Sequence, residues 1–288
     1  MKAAEFYSEL IKKLISRKDI IIEKHKINYK NGRYDFLRIA SNNIAKNSRI
    51  LLIRAGIHGE EISGPISILK YINEIIDYAN KKDVKLVIYP LGNPSGFENN
   101  SRYNIDGDKG SSGNNDFMRY ELNNGEIVDD LVEGIEYKKW YWASDKNIKV
   151  NLPKETLLMH KLLKNEQLKN INGFLDLHQD YITKEVKSFV YYYSFGNFKD
   201  YNNIIHEVNR VLPVLKNKYI GSGFTGGSVK SDSNGFIIRH DCTLGDLMYR
   251  LGIKYSVTVE TTGNTPLDIA CEVNLIWIKG IIDLLNKN

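Results

Sequence analysis

The chain has 288 residues, 42% hydrophobic and 26% charged, with 22 Gly against 6 Pro. This is an ordinary globular composition and excludes the disordered, collagenous and coiled-coil classes. The net charge of +5 comes from 40 basic and 35 acidic residues spread without a basic block, so no nucleic-acid partner is expected. No apolar run approaches the roughly 18 residues of a membrane span. Near the N-terminus Glu5, Glu9, Lys12 and Lys13 interrupt any secretory-type apolar block, which predicts a cytoplasmic protein with no membrane partner. Cys242 and Cys271 form no CxxC pair and are expected to be buried thiols, neither disulfide nor metal ligands.

In chain order, Ala4, Tyr7, Leu10, Ile11, Leu14 and Ile15 recur at helical spacing and predict an amphipathic helix over 3–16. Two β-rich runs, 20–29 and 33–40, flank Asn31-Gly32, a pair suited to a tight hairpin. A strand at 49–55, a helix with Ile62, Ile66, Leu69, Ile72 and Ile76 on its apolar face, and a strand at 84–89 form a parallel βαβ unit. From 92 to 142 the composition turns to Asn, Gly, Asp and Ser with little periodicity, which reads as a functional loop region. Regular structure resumes with a helix at 153–167, strands at 173–177 and 188–193, and helices at 198–212 and 244–251. A strand at 254–260 follows, and then a last helix with Thr265 as N-cap and Pro266 in its first turn. No repeat or linker interrupts the alternation. The expectation is one α/β domain over 1–288, an α/β/α sandwich with a mixed, mostly parallel central sheet and an N-terminal antiparallel hairpin that belongs to it.

The segment Arg54-Ala55-Gly56-Ile57-His58-Gly59-Glu60-Glu61 ends a strand in a glycine-punctuated turn before a helix. Three positions separate His58 from Glu61, so one turn brings an imidazole and a carboxylate to a single metal. A catalytic zinc site takes three His or carboxylate ligands and leaves a position for water. His178 supplies the third ligand from the end of another apolar strand, where ligands gather in open α/β sheets. Asp176 shares its strand face and is placed to orient an imidazole. Taken singly, a His three residues before a Glu reads as a solvated helix-start pair, and a lone strand-end His as a hydrogen-bonded one. The ordered set carries the inference.

Two further segments complete that set: Asn93-Pro94-Ser95-Gly96 followed by Arg102-Tyr103-Asn104 and Asn114-Asn115-Asp116-Phe117, and the strand from Gly252 to Glu260. With them the chain resembles the zinc carboxypeptidase family over about 49–285, as a divergent bacterial-type member. The resemblance implies one Zn2+ per chain held by His58, Glu61 and His178, with Glu260 as general base and Arg102 stabilising the oxyanion. It makes Asn104, Asn114, Asn115, Arg119 and Arg239 candidate substrate contacts. Family members carry Asp-x-Asn-Arg where this chain has Ser112-Gly113-Asn114-Asn115, and Asn115 lacks the charged fork of Arg. Asp106, Asp108 or Asp116 are alternatives for the missing carboxylate, and Arg119, Arg239 or Arg250 for the missing cation. No Tyr occurs near Ile238, Arg239 and His240, where many members carry one on a mobile loop.

The function implied is zinc-dependent hydrolysis of an amide bond in a short peptide. The alternatives are an N-acyl amino acid deacylase of the aspartoacylase/succinylglutamate desuccinylase type and a catalytically silent, metal-containing peptide-binding module. The sequence leaves the oligomeric state open.

Overall fold

The computed structural model describes residues 1–30, 32–106, 113–131, 134–165, 170–181, 187–196, 198–221 and 228–287. Helix α1 (Ala3–Leu14) leads into a hairpin of β1 (Ile20–Tyr29) and β2 (Gly32–Ser41), paired antiparallel from Ile20 opposite Ser41 to Tyr29 opposite Gly32. The turn residue Asn31 lies outside the described residues. Then come β3 (Arg49–Ala55), α2 (Ser63–Lys81), β4 (Val84–Tyr89), α3 (Pro94–Asn99), α4 (Lys154–Asn165), β5 (Ile171–Asp180), β6 (Val190–Ser194) and α5 (Asn202–Val211). The chain closes with β7 (Phe236–Ile237), α6 (Leu244–Arg250), β8 (Tyr255–Thr262) and α7 (Leu267–Asn286).

These strands form one sheet in the order β1-β2-β4-β3-β5-β8-β6-β7. The joins β3–β4, β3–β5, β5–β8 and β6–β7 are parallel, and the other three are antiparallel. The period-two alternation of each strand sorts its side chains between the faces. Leu51, Ile53, Leu175, Leu177, Val257 and Val259 meet α1, α2, α5 and α7 through Phe6, Leu10, Ile72, Val208 and Trp277. Leu52, Val87 and Phe174 point the other way, onto Phe117, Met118, Tyr120, Met159 and Leu247. The architecture is therefore the expected α/β/α sandwich, and the apolar contacts on both faces fix its register.

Three expectations need correcting. The stretch 92–142 is not one loop: it holds α3 and a small side sheet of Met118–Leu122, Ile127–Val128 and Tyr137–Trp142. Met118–Leu122 does alternate apolar and polar residues, but its partners are a two-residue strand and Tyr137–Trp142, which does not alternate, and Phe117, Met118 and Tyr120 are buried beneath them. On α2 the buried stripe is Ile68, Ile72, Ile75, Ile76 and Ala79, rotated from the face expected, with Ile62 and Leu69 only partly buried. At α7 the N-cap is Pro266, and the Thr265 hydroxyl bonds the Thr262 hydroxyl at 3.2 Å instead of capping the helix. Cys242 and Cys271 are both buried, as expected. Among the described residues no helix is long and apolar enough to cross a membrane.

Candidate metal centre and active site

The alternation that builds the core also builds a polar row at the C-terminal ends of three adjacent strands. Arg54 on β3, Asp176 and His178 on β5, and Thr258 and Glu260 on β8 interrupt the apolar pattern on the same sheet face. Parallel register sets Arg54 beside Asp176, Asp176 beside Thr258 and His178 beside Glu260. This is the strand-end position where open α/β sheets place their ligands.

The loop from β3 to α2 brings the remaining groups. Gly56 adopts φ 63°, a left-handed turn that a side chain would strain, and lets the chain leave the strand sharply. A Cβ on Gly59 would fall inside contact distance of the backbone of Gly96, Phe97 and Ser101, so this loop packs directly on α3 and its continuation. Gly59→Ala is accordingly expected to cost at least about 1–3 kcal/mol, read as a lowered thermal midpoint. An unchanged midpoint would mean that the two segments do not pack as described. The Arg102 carbonyl accepts from Asn93 Nδ2 at 3.1 Å, Asn114 Nδ2 at 2.7 Å and Gly59 N at 3.4 Å, which pins the loop carrying Arg102 to the loop carrying His58.

His58, Glu61 and His178 converge, all buried, with one ligand atom of each within 4.8 Å of the others. The Glu61 carboxylate lies between the two imidazoles: His58 Nδ1 is 2.8 Å from Oε1 and His178 Nδ1 is 2.8 Å from Oε2. Glu61 also accepts from Arg102 Nη1 at 3.0 Å and from the Gln179 amide at 3.2 Å. On the far side of its ring, His178 Nε2 is 3.0 Å from Asp176 Oδ2. Asp176 is an ion-pair partner on the Nε2 side; a proton on Nε2 would leave Nδ1 as the coordinating nitrogen. Two imidazole Nδ1 atoms and a carboxylate, buried and mutually close, are the donor set a zinc ion takes.

Burial and the Arg102 charge push the His58 imidazole down to about 3. Burial acts the same way on His178, but Asp176, Glu61 and Glu260 outweigh it and raise its pKa well above the ordinary value. The two imidazoles are thus pushed in opposite directions. Burial, reinforced by Glu61 and Asp180, raises the Glu260 carboxyl well above the usual carboxylate range. Its Oε1 stands 3.7 Å from His178 Nδ1, and its Oε2 is buried without a hydrogen-bond partner among the described residues.

A cavity of about 140 Å³ opens beside this cluster. His58, Arg102, Asn115, Asp176, His178 and Glu260 line it on the metal side, and Tyr193, Phe195, Arg239, Asp241 and Thr258 form much of its outer wall. Of the candidate substrate contacts, Asn115 and Arg239 are there. Arg239 Nη2 also pairs with Asp130 at 2.6 Å. The other three do not line it. Asn114 spends its amide on the Ile57 and Arg102 carbonyls, and Asn104 is buried with neither side-chain polar atom hydrogen-bonded among the described residues. Arg119 turns to Asp116 at 2.9 Å, because its strand buries that side against the Asp116 and Cys242 pair. Arg250 is likewise held by Tyr137 at 3.1 Å and by Asp246 at 3.4 Å. Asp116 bonds Arg119 and Cys242, Asp106 is exposed, and Ser112 and Asp108 lie outside the described residues.

Sequence reasoning gave Arg54 no role. It is fully buried, donates from Nε to Asp176 Oδ1 at 2.9 Å and from Nη2 to Asp176 Oδ2, and also donates from Nη2 to Asn115 Oδ1 at 3.0 Å. The available signal was an arginine at the sixth position of a seven-residue strand, directly after four consecutive apolar residues. Tyr193, Phe195 and Asp241 were also missed as cavity residues, and nothing in their local sequence distinguishes them.

Residues 47–118 match the model of the succinylglutamate desuccinylase/aspartoacylase catalytic domain. Among solved structures, a metallopeptidase candidate from Shewanella amazonensis aligns with TM-score 0.61 and 22% identity over 98% of this chain and 92% of that one. Bovine thrombin-activatable fibrinolysis inhibitor, solved in complex with tick carboxypeptidase inhibitor, aligns with TM-score 0.60 and 17% identity over 100% and 98%. Metallo-carboxypeptidase from Burkholderia cenocepacia gives 0.59 and 13% over 97% and 68%. No curated protein sequence matches the chain.

Proposed function

From its metallocarboxypeptidase-like fold and the desuccinylase/aspartoacylase match over 47–118, we propose that the chain is a zinc-dependent hydrolase of an amide bond in a short peptide, with residues 1–288 as one cytoplasmic catalytic unit. The observation that carries this reading is the His58, Glu61 and His178 cluster facing one cavity together with Glu260 and Arg102. His58 Nδ1, Glu61 and His178 Nδ1 would hold one zinc. When bound, zinc lowers the pKa of a water and polarises the scissile carbonyl.

The chain's own residues do the rest. Glu260, a stronger base than a solvated carboxylate because it is buried, takes the proton of the attacking water and delivers it to the leaving nitrogen. Arg102 offers its guanidinium to the oxygen on which negative charge develops. Asp176 stands 3.0 Å from His178 Nε2 as its ion-pair partner, which favours the proton on that nitrogen and leaves the Nδ1 lone pair to the cluster. Tyr193, Phe195 and Thr258 restrict the cavity and limit water at the reacting carbonyl.

A second reading has its own support. The family model that matches 47–118 is that of acyl-removing enzymes, and a cavity of about 140 Å³ suits a small acyl or amino-acid group. That reading is N-acyl amino acid deacylation with the same zinc, base and oxyanion roles. Under either reading an ordinary C-terminal carboxylate finds no free fork at position 115, because Arg54 behind Asn115 is already committed to Asp176. Plain blocked dipeptides ending in apolar residues should therefore be poor substrates.

A panel of such dipeptides, γ-glutamyl and diaminopimelate-containing peptides and N-acyl amino acids decides between the readings. The preferred substrate should lose about tenfold or more in kcat/KM, some 1.4 kcal/mol, on Arg239→Ala. Efficient hydrolysis of plain dipeptides, indifferent to that substitution, would overturn this account of recognition. Zinc binding with no hydrolysis anywhere in the panel would leave the peptide-binding module.

A further inference from the structure

We infer that Arg54 is a positioning residue that sets the zinc affinity of the site by clamping Asp176, and through it His178, while its remaining reach anchors Asn115. The inference rests on His178 being a zinc ligand, as proposed above. Asp176 Oδ2 is shared: it accepts from Arg54 Nη2 and lies 3.0 Å from His178 Nε2. A carboxylate held only by the imidazole would rotate about its terminal bond. Here the Arg54 Nε bond to Oδ1 at 2.9 Å forms the second prong of a planar fork and fixes the carboxylate plane. The guanidinium is itself immobile, since it is fully buried and stacks over the Phe117 ring with its carbon 4.9 Å from the centroid. Its Nη2 also reaches Asn115 Oδ1 at 3.0 Å, so one cation orders a metal-side carboxylate and a cavity-lining amide.

The chemistry is specific to arginine. Lysine brings a single point of charge, which can neutralise Asp176 but cannot fix its plane and hold Asn115 at the same time. Partners behind a ligating histidine typically contribute a factor of 10–100 in metal affinity. Arg54 stands one residue further out and acts on the ligand through Asp176 alone.

The test compares wild type with Arg54→Met, Arg54→Lys, Asp176→Asn and the Arg54→Met/Asp176→Asn double variant. Zinc dissociation constants come from chelator competition, ligand geometry from the visible spectrum of the cobalt-substituted protein, and fold integrity from the melting of the metal-free chain. Arg54→Met should weaken zinc by about 10–100-fold and shift the cobalt bands. Arg54→Lys should recover part of the affinity, and Asn115→Ala should leave zinc binding within about twofold. The double variant should bind no more weakly than the weaker single one, because both act on one pathway.

Zinc affinity and a cobalt spectrum unchanged in Arg54→Met would overturn the inference alone, as would fully additive losses in the double variant. Wild-type protein that takes up no zinc would overturn the functional reading together with it. Should Arg54→Met fail to fold, Arg54→Lys decides: weakened zinc with an altered cobalt spectrum supports the clamp, and wild-type values for both refute it.

Discussion

Purified wild-type protein is expected to carry close to one zinc per chain, and His178→Ala is expected to lose it, with affinity falling by more than the roughly 10²-fold that loss of an outer partner costs. In the proposed ligand set three donors would hold the ion, so removing one leaves His58 and Glu61, too few for a stable zinc site. His178 also lies within ion-pair distance of Glu61, Asp176 and Glu260. Those carboxylates raise its pKa well above the ordinary value, so zinc competes with a proton for this imidazole. Zinc affinity should accordingly fall as pH falls, with protons released on binding. Elemental analysis after mild purification, with titration of the apo-protein in weakly buffered solution, measures both effects. Equal metal content in wild type and His178→Ala would remove His178 from the ligand set.

The sheet was legible because its strands obey simple patterns. The runs 20–29, 49–55 and 84–89 coincide with strands in the structure, since each is a β-rich or apolar segment bounded by turn residues. What failed were local patterns that tertiary packing overrides. Thr265 satisfies its hydroxyl through Thr262 rather than at the helix start, and the side sheet around Tyr120 draws its order from contacts with α4 and α6. The site divides in the same way. His58, Glu61 and His178 occur at informative spacings, and the structure brings them together. Arg54, Phe195 and Asp241 matter through parallel register and wall packing, which no local spacing records. Arg119 shows the converse: nearness in sequence to Asn115 suggested a substrate contact, but strand alternation turned it to Asp116.

Glu260→Gln is expected to keep its zinc and lose activity by about 10² to 10⁴ in kcat, the range of a general acid-base group. Geometry separates base from ligand here. The Glu61 oxygens approach both imidazole Nδ1 atoms at 2.8 Å, whereas Glu260 Oε1 stays 3.7 Å from His178 Nδ1 and its Oε2 has no hydrogen-bond partner among the described residues. Glutamine preserves the shape of the side chain and the β8 register but cannot accept and return a proton. KM should therefore change little while kcat and kcat/KM fall together, as for an interaction made only in the transition state. Stability supplies an independent check. Burial raises the folded-state pKa of Glu260 above its unfolded value, so the carboxyl favours the folded state below its unfolded pKa, and that contribution is lost as pH rises toward the folded pKa. Glutamine does not titrate, so metal-free Glu260→Gln should gain in melting temperature relative to metal-free wild type as pH is raised through that window. Loss of zinc in the variant would make Glu260 a ligand, and full activity with zinc retained would require a different base.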